Sequence, residues 1–165
     1  MPDAGPTSER LEALRARWEA EPDSRVFLQL ADEYRRLGRT EEAARVLEEG
    51  LAANPHHLAA QVALGRCRLD LGAPDEAAGL LERVVESDPT QMVAYRLLVE
   101  AYLRQGRAEE ARQRLRIYSL LNDADPEIAE LRRRIGEIDR QPAAAADPEP
   151  APAEPAAAPA SASPR

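Results

Sequence analysis

The chain has 165 residues, of which 44% are hydrophobic, and its formal net charge is -8 at pH 7. This length allows one domain with a sizeable core, and because Trp18, Phe27 and four tyrosines are the only aromatic residues, the core must consist mainly of Leu, Val and Ala. All 22 basic residues are arginine and the 30 acidic residues outnumber them, which argues against non-specific nucleic-acid binding, since such binding depends on many phosphate contacts.

The cysteine content and the hydropathy pattern exclude two further classes of protein. Cys67 is the single cysteine, so no internal disulfide can form. Residues 1–5 have neither a basic start nor an apolar run, and no segment approaches the roughly 20 apolar residues that a membrane-spanning helix needs. We therefore expect a cytoplasmic protein that makes no membrane contact.

The N-terminal segment is predicted to contain one helix after a short leader. Residues 1–6 are polar and are expected to be disordered. Thr7 or Ser8 can cap a helix start, and the spacing of the apolar residues that follow predicts a helix over residues 7–21. These apolar residues are Leu11, Leu14 and Trp18.

The central part of the chain repeats itself every 34 residues, and each copy shares a glycine, an alanine and a leucine at fixed offsets. The first copy contains Phe27, Leu30, Ala31, Tyr34, Gly38, Ala43, Leu47 and Pro55. The second copy contains Gln61, Leu64, Gly65, Arg68, Gly72, Ala77, Leu81 and Pro89. The third copy contains Tyr95, Leu98, Val99, Tyr102, Gly106, Ala111 and Leu115.

From residue 24 to about residue 125 this pattern resembles the tetratricopeptide repeat family, whose period is about 34 residues. The resemblance implies an all-α fold, namely a right-handed α-solenoid of three helix pairs with an N-terminal helix and a C-terminal capping helix. The repeats are predicted to span residues 24–57, 58–91 and 92–125. Within each repeat the shared glycine is expected to end the first helix in a positive-φ conformation.

Departures from the family pattern predict local differences between the repeats. Gln61 and Arg68 replace aromatic residues in the second repeat, so its packing should be thinner, with the stem of Arg68 along the core edge and its head in water. In the third repeat Val99 stands where the family prefers Gly or Ala, and Asp123 replaces the closing proline. We therefore expect the second helix of that repeat to run longer, through Leu121.

The C-terminal part divides into a capping helix and a tail. Asp125 and Pro126 suit an N-cap and a first helical turn, and the apolar stripe that follows predicts a capping helix over residues 126–140 with one face in water. Residues 141–165 are mainly Ala and Pro and are predicted to be disordered, because they contain no large apolar side chain. The apolar stripe consists of Ile128, Leu131, Ile135 and Ile138.

The resemblance places the functional surface on the concave groove that the first helices of the pairs line. At about 100° per residue, the positions opposite the core face can be named in each repeat. An apolar strip open to water usually marks a contact site, so we predict that this groove holds an amphipathic helix or an extended apolar peptide, whose carboxylate meets Arg25 and Arg96. Other occupants are the N-terminal helix, the tail or a second copy of the chain. The predicted groove residues are Arg25, Leu28, Gln29, Ala59, Val62, Ala63, Arg66, Val93, Arg96 and Leu97.

Charged positions in the same groove alternate in sign from one repeat to the next. Neighbouring helix axes lie about 8 to 10 Å apart, within the reach of arginine, so we expect these charges to pair across the helices. The first row is Asp32, Arg66 and Glu100, and the second is Arg36, Asp70 and Arg104.

A well-known site of the family, the carboxylate clamp that grips the C-terminal tails of chaperones, is absent. The clamp needs Lys and Asn on these helix faces. A heat-shock co-chaperone role of that kind is therefore not expected. The corresponding positions hold Leu28, Asp32, Ala63, Val93 and Leu97.

No catalytic residue, metal ligand or cofactor site is predicted. His56 and His57 follow a proline in a turn and lack a third ligand at useful spacing, so we interpret them as solvated turn residues. Cys67 has no nearby histidine and is interpreted as a packing residue. The sequence therefore predicts a non-enzymatic adaptor or scaffold whose partner is another protein, with no cofactor. The alternatives are a secretion-type chaperone and a structural module that self-assembles weakly through its end helices.

Overall fold

The computed structural model describes residues 6–21 and 25–140, and in these ranges every regular element is an α-helix. The all-α prediction is confirmed. The first helix begins at Pro6 rather than at Thr7 or Ser8, which leaves both residues inside its first turn. The expectations of a disordered leader and tail concern residues that lie mostly or wholly outside the described ranges. The helices are α1 (Pro6–Ala20), α2 (Val26–Arg36), α3 (Thr40–Ala53), α4 (Leu58–Asp70), α5 (Pro74–Ser87), α6 (Met92–Arg104), α7 (Ala108–Leu121) and α8 (Glu127–Arg140).

Two layers of helices build an α-solenoid. Each helix packs against the next one in the chain, and in addition α2 contacts α4, α4 contacts α6 and α6 contacts α8. Among the described residues, no comparably close backbone approach joins α3 to α5 or α5 to α7. The even-numbered helices therefore form a closely packed inner layer, and the wider spacing of the outer layer makes the inner face concave. The division into repeats at residues 24–57, 58–91 and 92–125 stays a prediction.

The turn inside each helix pair has the same conformation. Gly38, Gly72 and Gly106 have φ values of 72°, 76° and 71°, a region that residues with a Cβ rarely adopt. After two of these turns an arginine guanidinium lies over a tyrosine ring of the preceding helix, Arg39 over Tyr34 and Arg107 over Tyr102. The positive φ predicted for the three glycines is confirmed.

The second helix of the third pair ends at Leu121, as predicted, but it is not longer than its counterparts in the other pairs. Like α3 and α5, α7 has 14 residues. Asn122 leaves the helix in the same extended conformation as Asn54 and Asp88. The Tyr118 hydroxyl donates a hydrogen bond to Asp125, so side chains fix the turn that proline marks in the other repeats.

The two end helices are attached to the pairs by different interactions. The carboxylate of Glu33, which is buried, lies 3.5 Å from Nε of Arg10 on α1, while Leu11 and Leu14 are buried in the same cluster as α2. At the other end, the backbone N–H of Glu127 donates a 2.9 Å hydrogen bond to Oδ1 of Asp125, as an N-cap requires. Ile128, Leu131 and Ile135 of α8 are buried, like Leu11 and Leu14 of α1, so both end helices bury most of their apolar stripes.

The tightest backbone approach occurs in the first pair, where Gly50 of α3 faces the fully buried ring of Phe27 on α2. A Cβ on Gly50 would overlap that ring. A second close approach places Gly65 of α4 against Leu81 of α5, at 2.9 Å from a built Cβ. The close contact between the helices of these pairs therefore depends on glycine, which has no Cβ, at positions 50 and 65.

We predict that Gly50→Ala lowers the free energy of unfolding by about 1 to 3 kcal/mol, because a new methyl group forces the Phe27 ring out of its place. Gly79→Ala is the matched control, since Gly79 is an exposed position of α5 with nothing within 4 Å of a built Cβ. The control should raise stability by up to about 1 kcal/mol through helix propensity. Urea denaturation followed by circular dichroism measures both, and equal effects would contradict the packing argument.

A buried tyrosine links three helices of the second and third pairs. The Tyr102 hydroxyl on α6 donates a hydrogen bond to Oε1 of Glu82 on α5. Arg114 on α7 donates to both oxygens of the same carboxylate, at 3.2 Å and 2.8 Å. Burial, followed by the hydrogen bond to Glu82, raises the pKa of Tyr102 from 10.0 to about 12.

We expect Tyr102 to ionise near pH 12, about two units above an ordinary tyrosine. The folded chain then keeps a proton that the unfolded chain releases between pH 10 and pH 12. The stability from this group is therefore complete below pH 10 and is lost as the pH rises through 12. Absorbance titration of tyrosinate should show a late component that disappears in Tyr102→Phe and moves to lower pH in Glu82→Gln. A wild-type titration without it would contradict the prediction.

Candidate protein-binding groove

The concave face holds a cavity of about 170 Å³ between α2 and α4. Five of the ten predicted groove residues line it, and they come from both helices. Small side chains at the start and middle of α4 leave this space open, while Leu47 reaches it from α3 behind. The ten lining residues are Leu28, Ala31, Asp32, Arg35, Leu47, Ala59, Val62, Ala63, Arg66 and Cys67.

The cavity is apolar at its floor and open to the concave side. Ala31, Leu47 and Cys67 are buried at 3%, 0% and 1% exposure, whereas Val62 and Ala63 are half-buried and Ala59 is exposed. Water therefore reaches the apolar side chains of Ala59, Val62 and Ala63, and exposed apolar surface of this kind is typical of a contact site.

Three predicted groove residues lie on the concave helices but outside the cavity lining. Arg25 and Gln29 are exposed at the start of α2, and Val93 is 40% exposed at the start of α6. The neighbouring Met92 is 42% exposed, which extends the apolar surface to α6.

Of the three predicted groove residues in the third repeat, Val93 stays exposed, whereas Leu97 is buried and Arg96 pairs with α8. Leu97 is only 5% exposed and belongs to the same buried cluster as Ile128 and Leu131 of α8. Arg96, which was expected to meet a ligand carboxylate, instead donates a 2.9 Å hydrogen bond to Glu127 of α8. The open groove therefore comprises α2, α4 and the start of α6.

The predicted charge rows also pair differently. Asp32 lies 3.1 Å from Arg36 of its own helix, and Asp70 meets Arg35 across the helices at 3.8 Å rather than Arg36. Glu100 accepts hydrogen bonds from Arg104 at 2.8 Å and from Arg134 of α8 at 2.7 Å. Residues at i and i+4 are already neighbours on the surface of one helix. Ion pairs between them are therefore favoured over pairs that must reach across to the next helix.

Glu100 illustrates how completely the other groove charges are neutralised. Burial acts to raise the pKa of its carboxyl group, but the hydrogen bonds from Arg134 and Arg104 outweigh burial, so the pKa lies below its usual value. The carboxylate therefore stays ionised and holds α8 against α6.

Arg66 of α4 forms no ion pair with any residue of the part of the chain that the structure describes. It is half-buried at the cavity. Burial, and then repulsion from the cations Arg35 and Arg96, lowers the pKa of its guanidinium and outweighs the attraction of Asp70. Arg35 and Arg96 have carboxylate partners, so the excess positive charge beside the cavity is that of Arg66.

The structure assigns structural roles to the remaining candidates. His57 caps α4, its Nδ1 accepting the backbone N–H of Ala60 at 3.4 Å, and its ring packs edge-on against Phe27. It is thus more than a solvated turn residue, while His56 is exposed as expected. The head of Arg68 does not simply point into water, since it pairs with Glu48 and lies 3.1 Å from Glu76.

Helical geometry missed the cavity residues that come from behind the groove face. The sequence pattern identifies Ala31 and Leu47 only as repeat positions, and Cys67 only as a packing residue. A shared signal does exist in the sequence, since small residues at Ala31 and Ala63 on adjacent inner helices predict a gap between them.

Two sequence profiles described as tetratricopeptide repeat match the chain, one over residues 28–91 and the other over residues 68–135. The chain belongs to the tetratricopeptide repeat family. Among curated proteins no match to it was found.

Solved structures of this family share the fold. A crystal structure of MamA is 16% identical, with 82% of this chain and 90% of that chain covered and a TM-score of 0.70. MamA from Desulfovibrio magneticus RS-1 is 22% identical, with 82% and 87% covered and a TM-score of 0.69. The first tetratricopeptide domain of Spaghetti (RPAP3), bound to the HSP90 peptide SRMEEVD, is 19% identical, with 68% and 89% covered and a TM-score of 0.66. These similarities concern the fold alone.

The described residues contain neither a candidate metal site nor a helix that could span a membrane. Neither residues 6–21 nor residues 25–140 bring three or more His, Cys, Asp or Glu side chains together in a group that could hold a metal ion. No helix within the same ranges is long and apolar enough to cross a membrane.

We predict that Cys67 reacts with a thiol reagent more than about tenfold more slowly in the native protein than in denaturant. Burial raises the pKa of its thiol, and only the thiolate is reactive. Its 1% exposure at the cavity floor adds a steric barrier. Stopped-flow reaction with a chromogenic disulfide at neutral pH measures both rates, and equal rates would show that the floor is open to water.

Proposed function

We propose that this protein is a non-enzymatic interaction scaffold that holds a peptide or an amphipathic helix of another protein in its concave groove. The observation that carries this proposal is the apolar cavity between α2 and α4, which opens onto the concave face. Repeat solenoids typically bind partners on such faces. In the Spaghetti domain, which shares this fold, a peptide is bound.

Apolar surface at three inner helices supports the size of the proposed contact. Leu28 of α2 and Val62 of α4 line the cavity and are half-buried, and Val93 at the start of α6 is exposed. A docking helix presents apolar anchors at i, i+3, i+4 and i+7. Its apolar face would meet this surface, and the partner class is therefore a protein segment with regularly spaced aliphatic residues.

Self-assembly through the end helices gains no support from the residues that suggested it. Leu11 and Leu14 of α1 and Leu131 and Ile135 of α8 are buried within the chain. A secretion-type chaperone would use the same groove and would differ from a scaffold only in the protein that it binds. One experiment on the groove therefore tests both functions.

We predict that the double variant Ala59→Glu/Val62→Glu folds normally but loses groove partners by at least about tenfold, because two carboxylates would lie in an apolar contact. Ala129→Glu is the matched control, as Ala129 is also exposed in the first turn of a helix but lies on α8, outside the cavity. The full-length wild type and both variants are immobilised and exposed to lysate of the source organism.

Mass spectrometry then compares the retained proteins. A protein held by the wild type and by Ala129→Glu, but lost from the double variant with unchanged circular dichroism, supports groove binding. Equal retention by all three proteins would contradict it and would move the interaction to another surface.

A further inference from the structure

Arg66 differs from the neighbouring arginines of the concave face, because each of those is paired with a carboxylate. Arg35 lies 3.8 Å from Asp70, and Arg96 donates a 2.9 Å hydrogen bond to Glu127. Arg66 makes no such contact with a described residue, although its side chain is half-buried beside both cations. A guanidinium that loses part of its hydration without gaining a partner is in an unfavourable state, which an incoming anion would relieve.

The carboxylates around Arg66 do not supply that partner. Asp70, one turn further along α4, attracts Arg66 but forms no ion pair with it, and lies 3.8 Å from Arg35. Asp32, which lines the same cavity, is engaged by both Arg35 at 3.9 Å and Arg36 at 3.1 Å. Both acids are therefore largely neutralised by arginines of α2, and the uncompensated charge at the mouth of the cavity is positive.

The apolar space next to Arg66 sets the second requirement on a ligand. The cavity measures about 170 Å³, and a cavity of roughly 150 Å³ holds an apolar group as large as benzene. One Leu, Ile or Met side chain of a partner would therefore fill it, with the charged group of the ligand at the rim.

We propose that the groove recognises a protein segment in which an aliphatic residue is accompanied by a carboxylate, the aliphatic side chain entering the α2–α4 cavity and the carboxylate pairing with Arg66. This inference rests on the proposed function, and it adds the chemistry of the partner to it. Arginine suits the role because its planar fork can donate two parallel hydrogen bonds to a carboxylate.

Arg66→Gln gives a clean test, since the substitution breaks no ion pair within the described chain and relieves repulsion from Arg35 and Arg96. Folding should be unaffected. Arg45→Gln is the control, because Arg45 is an exposed arginine of α3 that does not line the cavity.

The probe is a library of short random peptides displayed on phage and selected on the full-length protein. Selected peptides are retained only if their affinity falls at least about tenfold on the Ala59→Glu/Val62→Glu variant. For each retained peptide, binding of the original sequence and of its Asp→Asn or Glu→Gln version is measured on the wild type, Arg66→Gln and Arg45→Gln.

We expect the retained peptides to carry an acidic residue within one helical turn of an aliphatic one. Neutralising that acid and Arg66→Gln should each weaken binding by about fivefold, and the two changes together should cost little more than either alone. Arg45→Gln should show no such coupling.

Two outcomes separate this inference from the proposed function. Groove-dependent peptides that lack acidic residues, or additive effects of the two neutralisations, would overturn the Arg66 assignment and leave the scaffold function standing. Failure to select any peptide that depends on Ala59 and Val62 would overturn both.

Discussion

Contact between alternate inner helices is the constraint on which the rest of this structure depends. The backbones of α2, α4, α6 and α8 approach one another in sequence, while among the described helices those of α3, α5 and α7 do not. The inner face is therefore both concave and crowded. Close approach requires small residues at its contacts, and where small residues face each other a gap remains. The cavity between α2 and α4, with Ala31 and Ala63 in its lining, is a direct result of that packing.

The same crowding determines the charge of the groove. Side chains on one inner helix lie within reach of the next, but the carboxylates Asp32 and Glu100 are met by arginines of their own helices, and Glu100 also by Arg134 of α8. These local pairs leave Arg66 on α4 between its two neighbours. The close spacing of the inner helices thus accounts for both the apolar cavity and the positive charge beside it. Together these two features select for a ligand that is apolar and acidic.

Much of the architecture follows from the 34-residue pattern. Gly38, Gly72 and Gly106 recur at that spacing in the sequence, and each forms the positive-φ turn between the two helices of a pair. The residues of α2 and α4 that line the groove also follow from helical geometry. The burial of Leu97 does not, because the periodicity of α8 shows that it has an apolar face but not which neighbour that face covers. Ion pairs were equally beyond the sequence: at axis spacings of about 8 to 10 Å, arginine reaches partners on its own helix and on the next one alike.

Because α8 packs on α6, the length of groove that a ligand can reach depends on how stably α8 is attached. This helix shares a buried cluster with Leu97 and is held to α6 by Arg96 with Glu127 and by Arg134 with Glu100. A ligand long enough to continue along α6 must compete with α8 for the same side chains, and its affinity is reduced by the free energy of detaching that helix. Short segments escape this competition. Destabilising the terminal helix would therefore favour longer ligands while leaving the α2–α4 contact as it is.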